Sequence, residues 1–61
     1  MKTDRVRFEE KAVMNGATVL TSTKTVLEIL ATNNKMITTY YFDDNGKFEK
    51  INTDFVDSQV F

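Results

Sequence analysis

The chain's only two glycines each follow an asparagine, and it contains no proline. This sparse punctuation limits where the backbone can reverse. Asn15-Gly16 and Asn45-Gly46 are hairpin signals, because a two-residue type I′ turn needs positive φ at both central positions and Asn and Gly tolerate it. Strand-like segments flank both. A turn at 15–16 sets Met14 opposite Ala17, Ala12 opposite Val19 and Phe8 opposite Thr23. Val6, Phe8, Ala12, Met14, Ala17 and Val19 then share one face, with Arg5, Arg7, Glu9 and Lys11 on the other. Glu10 is the exception, a carboxylate on the apolar face.

Between Ser22 and Asn34 two readings stay open. As a strand, the segment gains from its β-branched residues, from the lack of any turn residue between Ala17 and Ala31, and from Asn33-Asn34 as a tight turn. That register pairs Ala31 with Met36, Ile29 with Thr38 and Leu27 with Tyr40. As a helix, it places Val26, Leu27, Ile29, Leu30 and Ala31 on one arc, with Thr25 and Glu28 as a capping box. Lys35 to Phe42 reads as a strand, and Asp43-Asp44-Asn45-Gly46 turns it into a last one. A two-residue loop there sets Ile51 opposite Tyr40 and Phe55 opposite Met36, whereas a bulged three-residue loop sets Phe48 opposite Phe42. The expected fold is mainly β, a curved four-stranded antiparallel meander with strands near 5–14, 17–31, 35–43 and 47–56. The alternative is an α+β arrangement, ββαββ, with a helix near 24–33. The closing Val60-Phe61 is apolar enough to be expected to dock.

Sixty-one residues make a single small domain, 1–61, and a core of that size rarely nets more than about 3–5 kcal/mol without a staple. Cys and His are both absent, so disulfides, thiolates and the usual zinc, haem and iron–sulfur ligand sets are closed, and no metal or cofactor is expected. Eight basic against nine acidic residues, dispersed along the chain, oppose a nucleic-acid surface. No apolar run approaches the roughly 18 residues of a transmembrane span, and the start lacks a signal-peptide pattern, so the expected location is cytoplasmic.

The string Tyr40-Tyr41-Phe42-Asp43-Asp44-Asn45-Gly46-Lys47-Phe48-Glu49-Lys50-Ile51, closed by Asp54-Phe55-Val56-Asp57, resembles the C-terminal sheet of a cone-shaped α+β superfamily. These nuclear-transport-factor-like proteins include ketosteroid isomerase, the SnoaL-like polyketide cyclases and limonene epoxide hydrolase. The residues that match are Gly16, Phe42, Asp43, Gly46, Lys47, Ile51, Phe55 and Asp57. They span most of this chain but about half of such a domain. The resemblance implies a strongly curved sheet, with Asp57 nearest the family's closing acid. It supplies no counterpart to the helices that fill the cone, so the family's catalysis is not carried over.

Three residues are ligand-binding candidates: Glu10, for its apolar setting; Tyr40, for its place among the aromatics; and Asp57, through the resemblance. Asp43 and Asp44 read as turn residues. Val13, Leu20, Val26, Leu30, Ile37 and Tyr41 recur opposite the main apolar face, and a lone sheet of this length cannot cover both of its faces. They are the candidate interface of a homo-oligomer, most simply a dimer. The expected function is a small non-catalytic regulatory or interaction protein working through a sheet face or edge, its expected partners being copies of itself and a further protein. The alternative is a small-molecule-binding, enzyme-like cone whose pocket a second subunit completes.

Overall fold

A computed structural model describes residues 2–33 and 35–56. Helix α1 (Asp4–Met14) is followed by β1 (Thr18–Ser22), β2 (Val26–Leu30), β3 (Met36–Phe42) and β4 (Phe48–Phe55). The strands form one antiparallel sheet in the order β1-β2-β3-β4, the expected four-stranded meander.

The first expected strand, near 5–14, is instead the helix. Thr3 caps it by accepting from the Val6 amide, Asp4 lies in the first turn, Lys11 lies in the last, and Arg5 reaches Glu9 one turn on. Asn15-Gly16 is not a hairpin turn but the helix terminus. The Gly16 amide donates to the Val13 carbonyl and the Ala17 amide to the Ala12 carbonyl, a Schellman closure in which Gly16 takes φ +85°. Met14–Ala17, Ala12–Val19 and Phe8–Thr23 are therefore not cross-strand pairs.

The span 17–31 is two strands, so the fourth strand that the helix removed is recovered here. Its reversal at 23–25 lacks Gly and Pro. Thr23 supplies the closure, its amide donating to the Val26 carbonyl and its hydroxyl accepting from the Val26 amide. The alternative helix near 24–33 is not formed, because Val26–Leu30 lies between β1 and β3 with its main chain in both ladders. The expected β2–β3 register holds, pairing Leu27 with Tyr40 and Ile29 with Thr38. At the last hairpin both loop readings hold at once. Phe48 faces Phe42, yet Ile51 faces Tyr40 and Phe55 faces Met36, because a bulge leaves Glu49 unpaired between them.

α1 covers one side of the sheet. Phe8 lies 5.0 Å from the Tyr40 ring, 5.4 Å from Phe42 and 5.3 Å from Phe48, with edge-on geometry to the first two. The helix start is pinned to the β3–β4 turn, where Asp4 accepts from the Phe48 amide at 3.0 Å and the Arg5 amide donates to the Gly46 carbonyl at 2.9 Å. Among the described apolar residues, only Ala12, Leu27 and Phe42 are buried. Asp57, Val60 and Phe61 lie outside the described residues.

Gly46 takes φ +80°, and a Cβ there would lie 2.8 Å from that of Thr3. Gly46→Ala is expected to lower stability by about 1–3 kcal/mol, seen as a reduced urea midpoint. Phe8→Ala, removing a packed ring at about 3–5 kcal/mol, is expected to leave the chain largely unfolded by circular dichroism.

Candidate functional site

Tyr40 and Phe42 both meet Phe8, so the residues alternating with them in β3 point away from the helix. On that bare face Val26 pairs with Tyr41 and Leu30 with Ile37, with Glu28 and Thr39 paired between them. Four of the six candidate interface residues are thus brought together as two cross-strand apolar pairs. Thr21 donates to Glu28 at 2.9 Å, and the Lys50 ammonium lies 5.0 Å from the Tyr41 ring centre. Along β2 and β3 the face carries two apolar pairs around one polar pair, with Thr18 and Thr21 on β1 and Lys50, Asn52 and Asp54 on β4.

The other two lie elsewhere. Val13 is exposed on α1, and Leu20 is the extra residue of a bulge between Val19 and Thr21. Both had been placed by strand alternation, which a helix in one case and a bulge in the other interrupts. Glu10 is on α1 rather than on a strand: it is exposed beside Val6, Val13 and Met14 and accepts from Lys2 at 2.8 and 2.9 Å. Tyr40 lines a groove of about 550 Å³ between α1 and the sheet, together with Phe8, Ala12, Ile29, Met36 and Thr38. Lys11 is the one charged residue of that lining, which contains no carboxylate.

A polar cluster went unnoticed in the sequence. Arg5, its side chain mostly buried, donates to Glu9 at 2.7 Å, to the Ser22 hydroxyl and to the Thr23 carbonyl at 2.8 Å, and its guanidinium lies 5.8 Å from the Phe42 ring centre. Ser22 in turn donates to Glu9 at 3.1 Å. The Arg5 hydrogen bond is the main influence holding the Glu9 carboxyl below its ordinary range, against a smaller opposing effect of burial. A carboxylate so compensated is a poor base toward Ser22, and the cluster works as a tie between α1 and the end of β1. The i, i+4 spacing of Arg5 and Glu9 was its only sequence signal.

Asp43, as expected, serves its turn. Its carboxylate accepts from the amides of Lys47 and Asn45, which hold its pKa below the ordinary value. Among the described residues no group of three His, Cys, Asp or Glu is placed to hold a metal ion, and no helix is long and apolar enough to cross a membrane. No family model, no curated protein and no solved structure matches the chain.

Glu9 and Asp43 both have lowered folded-state pKa values, so the stability they contribute is complete above the ordinary carboxylate range and lost as pH falls through and below about 4. The urea midpoint is expected to drop across that window. Glu9→Gln or Asp43→Asn should lower the midpoint at neutral pH and flatten its acid dependence.

Proposed function

We propose that this chain is a small, non-catalytic interaction protein that assembles with copies of itself through its sheet. The observation that carries this reading is the face on which the half-buried pairs Val26–Tyr41 and Leu30–Ile37 are opposed by no element among the described residues, beside a core of so few fully buried side chains. Burying those pairs against a second sheet adds the apolar area that a chain of this length lacks. The carboxylates with partners serve structure: Asp4 accepts from the Phe48 amide, Glu9 and Glu10 pair with cations, Glu28 accepts from Thr21, and Asp43 closes a turn. Binding rather than bond chemistry is the function these roles support.

The groove on the helix side favours a second reading, in which Tyr40 contributes to a small-molecule site of the cone-fold kind. Its lining offers an apolar body but no acid, so it supports binding more than acid–base catalysis. This reading requires that an apolar fluorophore bind the native chain and be excluded by Ala31→Trp, which fills the groove.

Sedimentation equilibrium of the full chain at micromolar concentration tests the assembly. The expected result is an oligomer, with Ile37→Glu shifting it to monomer or unfolding it, and Met14→Glu, on an exposed helix end, leaving the mass unchanged. A wild-type chain that stays monomeric and folded contradicts the reading.

A further inference from the structure

We propose that two copies of this chain join along the outer edge of β4, in one register centred on Asn52, making a continuous sheet with four strands from each copy. The inference rests on the self-association proposed above but uses a second surface, the outer edge of β4, and leaves the β2–β3 face free for the sheet-on-sheet contact.

β4 is a terminal strand of the sheet, so one side of its main chain has no partner strand among the described residues. Which residues present that side follows from the ladder. The Val56 amide donates to the Lys35 carbonyl at 2.9 Å, one step beyond the Phe55–Met36 pair. Hydrogen-bonded and non-hydrogen-bonded pairs alternate in an antiparallel ladder, so Asp54, Asn52 and Lys50 turn their amides and carbonyls toward β3. Ile51, Thr53 and Phe55 turn theirs outward. An exposed row of this kind is a template for another strand unless something blunts it.

The side chains choose the strand. Lys50 and Asp54 lie on the same face, two residues to either side of Asn52. A two-fold axis through Asn52, perpendicular to the sheet, sets each Lys50 opposite Asp54 of the second copy. In this register they form non-hydrogen-bonded pairs, where side chains approach most closely, and the outward groups of Ile51 meet those of Thr53. Sliding the copies by two residues leaves both charges without an opposite. Sliding them by four stacks Lys50 on Lys50 or Asp54 on Asp54. Lys50 and Asp54 therefore oppose other symmetric pairings of this edge while favouring one. Neither side chain is in an ion pair among the described residues, although Asp54 accepts from Asn52 at 3.0 Å.

The helix side agrees with this register. Ile51 and Phe55 are 54% and 79% exposed there. Across the seam, Ile51 becomes the diagonal neighbour of both Ile51 and Phe55 of the second copy, and the two helices lie on the same side of the joined sheet.

Sedimentation equilibrium and circular dichroism on the full chain test this. Lys50→Glu and Asp54→Lys, each alone, are expected to raise the dimer dissociation constant by roughly tenfold or more. The double exchange Lys50→Glu with Asp54→Lys should restore the wild-type value. Thr53→Pro removes an outward amide and no bond to β3, so it should abolish edge pairing while the strand signal is kept. A dimer that ignores Lys50→Glu and Thr53→Pro but dissociates with Ile37→Glu overturns the edge and leaves self-association standing. A monomeric wild-type chain overturns both. Failure of the double exchange to restore what the single changes lost overturns the register.

Discussion

The placement of one ring, Phe8, governs how this chain is organised. It packs α1 against β3 and β4, and its contacts with Tyr40, Phe42 and Phe48 gather four aromatic side chains into one cluster. Beneath it lies a thin interior, with Leu27 fully buried and Ala12 and Phe42 nearly so. Polar ties fix the angle at which the ring arrives. Asp4 and the Arg5 amide hold the helix start to the last hairpin, and the Arg5 side chain holds the same helix to β1. Without the ring, those bonds would join surfaces that had little apolar reason to meet.

Much of the sheet was legible because strand pairing leaves a period-two pattern. Leu27, Ile29, Thr38 and Tyr40 appear in the sequence in the register they take in the structure. The helix was hidden for a physical reason. Its inward stripe is Arg5, Phe8, Glu9 and Ala12, half of it charged, while Val6, Val13 and Met14 are exposed. Apolar residues therefore marked the wrong side, and Val6 with Phe8 imitated a strand. Asn-Gly compounded the error, since positive φ ends a helix as readily as it turns a hairpin. The better signals were local: a Thr-Asp start, the Arg5–Glu9 spacing, and a run of good helix formers from Glu9 to Ala12.

Val26, Leu30, Ile37 and Tyr41 share one face in the structure because all belong to strands whose register follows the sequence pattern. Val13, Leu20 and Glu10 lie elsewhere, on a helix or at a bulge where strand alternation does not apply. What alternation could not show was how charge and main-chain direction divide along β4. There the structure places Lys50 and Asp54 on the ladder's inward-bonding residues and Ile51 and Phe55 on its outward-bonding ones. Among the described residues no element covers the other broad side of the sheet, and β1 and β4 are its two terminal strands.

The bond from the Phe48 amide to Asp4 joins residues 44 positions apart. In chain order the helix comes first and the hairpin it docks on comes last. The helical segment leaves the ribosome first, yet it is too short to hold its shape alone, and its docking site is the last hairpin to be made. Phe8 has its aromatic partners only where β3 and β4 have paired, since Tyr40 and Phe42 come from one strand and Phe48 from the other. The turn closed between Asp43 and Lys47 is thus part of the surface on which the helix start is seated, as well as the link between two strands.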